Sequence, residues 1–300
     1  MKILLTGAVN WTKEHLDAIK SLGHDVTFVQ DERIPLAEQN VDATKIEGVI
    51  CNGLFLYNDI KSFNNLQFIQ LTSAGFDRVD MDYINQKGIK IFNARGVYSV
   101  PMAEFCLASV LSLYKNSAFF YDNKNKKLWQ KNRQIKELSD SEVLIVGCGS
   151  VGSECAKRFL GFNTKVYGVD LFVTKNPNFI EIFPLDLLDE RLKSADIVVL
   201  TLPLTNETKG LFNLQRLLSM KKGSVLVNIA RGPIVDEKAL VKALNGHLFG
   251  ACLDVFEVEP LPQDSQLWEL ENVILSPHNS FVSDKNINRL FDVVINNLKG

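Results

Sequence analysis

The sequence predicts an α/β protein made of two successive parallel-sheet units. Three observations carry this. Short apolar runs alternate with helix-like segments along almost the whole chain; an apolar run enters a G-x-G-x-x-G turn at residues 142–152 (EVLIVGCGSVG); and that turn comes near the middle of the 300 residues, after a complete set of strands and helices. Alternation of this kind favours βαβ units, because parallel strands need a crossover that an amphipathic helix supplies. One domain usually takes about 100–200 residues, so the chain has room for two.

In the first third, KILLTG (2–7), DVTFVQ (25–30), GVICN (48–52), FIQLTS (68–73) and KIFNA (90–94) read as strands. Helical spacing appears in KEHLDAIKSLG (13–23) and VDMDYINQKG (79–88). After NARGVYS (93–99), Pro101 suits the first turn of a helix that ends near Tyr114, with Ser99 as its cap. A stretch rich in Lys and Asn, YDNKNKKLWQKNRQ (121–134), precedes a second series of strands. These are VLIVG (143–147), KVYGVD (165–170), IVVLTLP (197–203), SVLVNIA (224–230), ACLDVF (251–256) and NVILSPH (272–278). Residues 283–300 have helical spacing and are expected to return to the first unit.

Composition narrows the classes. Apolar content of 46%, charged content of 23% and a net charge of −2 describe a soluble globular chain with no basic excess to attract nucleic acid or an anionic membrane. Cys51, Cys106, Cys148, Cys155 and Cys252 form no C-x-x-C pair and read as buried, reduced thiols, without a disulfide framework or metal site. The N-terminal apolar run is too short for a signal peptide, and residues 100–114 are too short to span a membrane and carry Glu104. A cytoplasmic protein is expected.

With 18 glycines in 300 residues, the glycine spacing alone is a weak signal. Its context strengthens it. Gly147, Gly149 and Gly152 follow an apolar strand and open a segment, SECAKRFL, with helical spacing. Such glycines serve a tight turn, close backbone approach to a pyrophosphate, and helix–strand packing, while the helix N-terminus offers exposed amides to the anion. The next strand ends in Asp170, whose carboxylate suits the hydroxyls of an adenosine ribose and repels a 2′-phosphate. NAD is therefore favoured over NADP.

Of four histidines, His15, His24 and His247 fall in or beside predicted helices, whereas His278 directly follows a strand, where open parallel sheets place ligands. Histidine exchanges protons near neutrality. Arg231, after SVLVNIA, offers a planar fork for a carboxylate. Asp254 and Glu259, in DVFEVEPLP, each offer a carboxylate that could orient the histidine.

NIARGPIVDEKAL (228–240), GACLDVFEVEPLP (250–262), LWELENVILSPH (267–278), VLTLPLTNETKGLF (199–212) and SAGFDRVDMDYINQKGIKIFNA (73–94) resemble signature blocks of the NAD-dependent D-isomer-specific 2-hydroxyacid dehydrogenases. The resemblance covers most of the chain from about residue 66 onward. It implies two Rossmann-like or flavodoxin-like parallel-sheet domains separated by a cleft: a discontinuous substrate domain of residues 1–97 plus 281–300, and an NAD-binding domain of residues 98–280. Hinges would lie near residues 95–100 and 279–283.

The resemblance also implies roles. Arg231 would bind the carboxylate of a small 2-keto acid and polarise its carbonyl; His278 would be the acid or base; and Glu259 would orient His278, with Glu257 a lesser competitor. The backbone of Ser73, Ala74 and Gly75 would hold the carboxylate from the substrate domain. Ser150 and Val151 would lie beneath the pyrophosphate and Asp170 on the ribose. Pro203 and Thr208 would lie along the cofactor, with Ile229 and Asp254 on the nicotinamide side. A homodimer is implied through the helix from Pro101 and the arm containing Trp129.

Two features depart from the family pattern. PHNSF puts Asn279 and Ser280 where a small or apolar pair is usual, and NARGVYS puts Arg95 near the interdomain seam. Leu54 and Phe55 suggest an apolar wall after GVICN that would favour a substrate with an apolar tail. Rival readings remain. A formate dehydrogenase would carry Gln at position 259; an NAD-sensing corepressor on this scaffold would keep the same site residues but usually adds terminal tails; a phosphoglycerate dehydrogenase with a regulatory domain would need a longer chain.

Overall fold

The computed structural model describes every residue except Thr174. The chain divides into two compact units, Met1–Tyr98 with Ser283–Gly300, and Ser99–Val282.

In the first unit, β1 (Lys2–Thr6), α1 (Lys13–Ser21), β2 (Asp25–Val29), β3 (Gly48–Cys51), β4 (Phe68–Leu71), α2 (Met81–Lys87) and β5 (Lys90–Phe92) follow in turn. The strands are parallel, in the order β2-β1-β3-β4-β5. Side chains alternate across the sheet and both faces are covered. Leu4, Val49, Ile69 and Leu71 pack with Ile84 on one side, and Ile3, Leu5, Ile50 and Phe68 with Ile19 on the other. Two-sided burial is why the inner strands β1, β3 and β4 read as nearly continuous apolar runs.

The second unit begins with α3 (Ser99–Tyr114) and α4 (Ser117–Asn125), then β6 (Glu142–Val146), α5 (Ser150–Leu160), β7 (Lys165–Asp170) and β8 (Glu181–Pro184). It continues with α6 (Leu188–Arg191), β9 (Ile197–Leu200), α7 (Leu214–Ser219), β10 (Val225–Asn228), α8 (Glu237–Leu244), β11 (Gly250–Leu253) and β12 (Val273–Leu275). Its parallel strands run in the order β12-β11-β10-β9-β6-β7-β8. Val143 and Ile145 face a core shared with Cys106 of α3 and Phe159 of α5; Leu144 and Val146 face the opposite core, with Leu217 and Leu240. The last helix, α9 (Asn286–Leu298), belongs to the first unit and contributes Leu290, Val294 and Leu298 to the core around Ile3 and Leu5.

Two parallel-sheet α/β units are therefore present, flavodoxin-like in the order of the first and Rossmann-like in that of the second. Parallel strands bring all their carboxyl ends to one edge of each sheet. In the second unit that edge gathers the glycine turn after β6, Asp170 of β7, and the loops after β9, β10, β11 and β12.

Three local expectations are corrected. The second sheet has a strand, β8, that the apolar pattern did not reveal. Its sequence EIFP is short and ends in Pro184, which an edge strand tolerates because one side needs no ladder hydrogen bonds. The polar stretch after Tyr114 begins with a helix, α4. Ser99 is the first residue of α3 and buried, so it lies inside the helix and does not cap it.

Candidate active site

The glycine turn is built by close approach. Gly147 has φ +101°, and a β-carbon there would stand 2.8 Å from the backbone of Thr201 and Leu202. A β-carbon on Gly152 would fall 2.1 Å from the Gly147 carbonyl oxygen. Gly149, by contrast, faces open space and is the N-cap of α5 with no side-chain hydrogen bond to the helix amides. Ser150 and Val151 form its first turn. An uncapped helix N-terminus beneath a glycine with open space above it fits a pyrophosphate.

Asp170 closes the same site. Its Oδ2 accepts from Cys148 N at 2.6 Å and its Oδ1 from Phe172 N at 3.0 Å, which joins the end of β7 to the glycine turn. Burial, with this carboxylate nearby, pushes the Cys148 thiol up to about 12.

Other expected cofactor positions are more enclosed. Thr208 is buried; its hydroxyl donates to Pro203 O at 2.7 Å and accepts from Thr205 N at 2.7 Å, so it shapes the loop carrying the exposed Pro203. Ile229 is 1% exposed, main chain included, and lies in the core.

After β10, Asn228 Oδ1 accepts from Ala230 N at 3.1 Å and its Nδ2 donates to Arg231 O at 3.1 Å, shaping the turn that presents Arg231. Arg231 is half-buried. Its Nη1 donates to Ala230 O at 2.7 Å, and the rest of the fork has no protein partner among the described residues.

The loop after β11 answers which carboxylate meets the histidine. Glu259 Oε2 lies 2.8 Å from His278 Nδ1, and its Oε1 accepts from Phe256 N at 3.1 Å. An ionised carboxylate only accepts, so the shared proton belongs on Nδ1. Nε2 then has no hydrogen-bond partner among the described residues, in a side chain 42% exposed. Glu257 is occupied elsewhere. Its Oε1 accepts from Glu237 N at 2.9 Å, and its own N–H donates to Glu237 Oε1 at 2.5 Å. Burial, reinforced by the Glu257 carboxylate, raises Glu237 above its ordinary value.

Asp254 does not reach the imidazole. It is 1% exposed and accepts from Ser276 Oγ, from Asn279 N at 2.7 Å, and from the Ser280 hydroxyl and amide.

In the first unit, the Ser73–Gly75 loop is held from the segment after β5. Ala94 N donates to Ser73 O at 2.8 Å, Asn93 Nδ2 to Ala74 O at 2.6 Å, and the Tyr98 hydroxyl to Thr72 O. Sequence reasoning passed over Asn93 and Tyr98; the only available signal was their place in NARGVYS, directly after a strand. Arg95 beside them is exposed. The expected apolar wall is corrected: Leu54 is fully buried in the core and Phe55 stacks edge-on against Phe63 at 5.5 Å, so the outward apolar residues there are Leu56 and Tyr57.

Residues 107–280 match the family described as "D-isomer specific 2-hydroxyacid dehydrogenase, NAD binding domain". A glyoxylate reductase of Thermofilum pendens is 36% identical over 247 residues, 78% of this chain and 71% of that protein. A D-3-phosphoglycerate dehydrogenase of Bacillus subtilis is 37% identical over 225 residues; the match takes 74% of this chain, which spans only 42% of that longer protein. Among solved structures, D-lactate dehydrogenase of Aquifex aeolicus, complexed with NAD and lactic acid, aligns with a TM-score of 0.78 and 28% identity, over 99% of this chain and 94% of that one.

Proposed function

The chain belongs to the D-isomer-specific 2-hydroxyacid dehydrogenases, and from that premise we propose that it interconverts a small 2-keto acid and its D-2-hydroxy acid with NAD(H). The observation that carries the reading is the 2.8 Å contact of His278 Nδ1 with Glu259 Oε2 on the strand edge that also bears the glycine turn.

NAD(H), when bound, supplies or accepts the hydride at the substrate's C2. Gly147, Gly149 and Gly152 with the α5 amides of Ser150 and Val151 hold the pyrophosphate, and Asp170 takes the ribose hydroxyls. Arg231 clamps the substrate carboxylate and polarises the carbonyl, where negative charge grows during reduction. His278 gives a proton from Nε2 to the carbonyl oxygen in reduction and takes it back in oxidation. Glu259 keeps the Nδ1 proton in place, which leaves Nε2 as the nitrogen that exchanges a proton with the substrate. The backbone of Ser73, Ala74 and Gly75 is assigned to the substrate carboxylate; the tying of three successive carbonyls, at Thr72, Ser73 and Ala74, supports a fixed conformation for that loop.

NADH oxidation with glyoxylate, hydroxypyruvate, pyruvate, phenylpyruvate and branched-chain keto acids, with NADPH in parallel, tests the reading. Turnover with one of them, abolished in His278→Ala, supports it. Absence of turnover with every acid despite NADH binding would overturn it.

A homodimer is part of the proposal. Tyr121, Leu128 and Trp129 are exposed around the arm, Trp129 by 99%, which favours a second copy as their cover. Light scattering of the wild type and of Trp129→Glu would measure it: the wild type is expected at twice the chain mass and the variant shifted toward monomer. We also place the protein in the cytoplasm, where five unpaired cysteines would remain reduced. No helix among the described residues is long and apolar enough to cross a membrane.

A further inference from the structure

We propose that Ser276 and Ser280 are positioning residues for His278, acting through the buried carboxylate of Asp254. The inference rests on the acid–base role just assigned to His278.

Asp254 follows β11 directly and is 1% exposed. Its Oδ1 accepts from Ser276 Oγ, from Asn279 N at 2.7 Å and from Ser280 N at 3.0 Å; its Oδ2 accepts from Ser280 Oγ at 2.5 Å and shares the Ser280 amide at 3.1 Å. Its main chain extends the clamp, since Asp254 O accepts from His278 N at 2.8 Å and Asp254 N donates to Asn228 O at 3.0 Å. One side chain thus holds the residues on both sides of the histidine.

The histidine needs that restraint. His278 has φ +49°, the left-handed region that side chains with a β-carbon rarely occupy. Such a conformation persists when surrounding contacts over-determine it. The direction in which the imidazole leaves the chain, and hence its reach to Glu259, depends on this backbone state.

A carboxylate has about four acceptor sites. Two serine hydroxyls and two amides converge on the carboxylate here. These contacts give Asp254 a role in shaping the loop that carries His278. Ser280 is 3% exposed, enclosed with the group it binds rather than solvated as an ordinary loop serine. Removing its hydroxyl leaves a buried charge short of a charge-assisted hydrogen bond and loosens the turn that presents His278.

The test compares wild type, Ser280→Ala and Ser280→Thr. In Ser280→Ala, kcat for the best keto acid should fall about tenfold, as a small misplacement of a reacting group does. NADH affinity, measured by fluorescence quenching, should not change. Ser280→Thr keeps the hydroxyl and should restore most of kcat. A readout independent of turnover is the imidazole carbon–proton spectrum of the four histidines, with His278 assigned by His278→Gln. Its resonance should move in Ser280→Ala, return in Ser280→Thr, and leave those of His15, His24 and His247 in place.

An unmoved His278 resonance in Ser280→Ala would overturn the inference, as would weakened NADH binding with kcat intact, which would put Asp254 on the cofactor. A responsive resonance in a protein that reduces none of the keto acids would uphold the positioning role while the proposed reaction fell. Should Ser280→Ala not fold, Ser276→Ala carries the same readouts, since Oδ1 retains two amide donors there.

Discussion

Gly232 lies against Phe256 so closely that a β-carbon on it would fall 1.9 Å from the Phe256 carbonyl group. The turn presenting Arg231 and the loop presenting Glu259 are thus packed backbone to backbone. The spacing between the proposed carboxylate clamp and the proposed acid–base pair depends on glycine at this one position.

Gly232→Ala should therefore damage both stability and turnover, because the atoms it would strike are backbone. Overpacking costs about 1–3 kcal/mol, and displacement of the two loops should lower kcat/KM by about a hundredfold. Thermal unfolding together with steady-state kinetics measures both. Unchanged kinetics would show that the loops separate without affecting the reaction.

Glu259→Gln should keep the fold and NADH binding while lowering kcat, since an amide can present either an oxygen or an N–H to Nδ1 and no longer fixes the proton there. Removing His278 itself should cost about 10²–10⁴-fold in rate. Glu257→Gln is the control: this carboxylate binds the N-terminus of α8 and not the histidine, so its loss should leave kcat nearly unaltered. Equal losses in the two glutamate variants would refute the division of roles.

Glu237 gives a pH signature that needs no substrate. Its folded-state pKa is raised by burial and by the Glu257 carboxylate. Between the unfolded and folded values the native state binds more protons, so stability from this group is full below that window and is lost as pH rises through it. Glu237→Gln removes the loss. The melting temperature of the variant relative to wild type should therefore be higher at pH 7 than at pH 4. A difference that did not vary with pH would contradict the assignment.

Cys148 sits within the glycine turn, yet its thiol is held near 12 by burial and by Asp170. Iodoacetamide at pH 8 should scarcely label it in the folded protein and should label it fully in guanidinium chloride, as read by peptide mass spectrometry. Rapid labelling of the native protein would mean that the turn opens or that Asp170 leaves it.

The glycine turn could be read from the chain because its requirements are local: an apolar strand, three glycines at fixed spacing, a helix, and a carboxylate ending the next strand. For the same reason most strands of both sheets were legible, since two-sided burial imposes a continuous apolar run. The edge strand β8 escaped because one side needs no partner, which allowed it a short sequence ending in proline.

Which acid serves the histidine was not local. Asp254, Glu257 and Glu259 lie within six residues, and only the family resemblance singled out Glu259; in the fold they hold the Ser276–Ser280 loop, the start of α8 and His278 respectively. These partners lie 26, 20 and 19 residues away, and the distances close only when β10, β11 and β12 pair in register. Leu54 shows the same limit: an apolar residue after a strand can face a ligand or the core, and packing alone decided that it is buried. The sequence by itself determined the strands, the turn and the kinds of side chain at the strand ends. Tertiary structure decided which of those side chains meet, because hydrogen bonds act over about 3 Å and only the folded sheet brings distant strand ends that close.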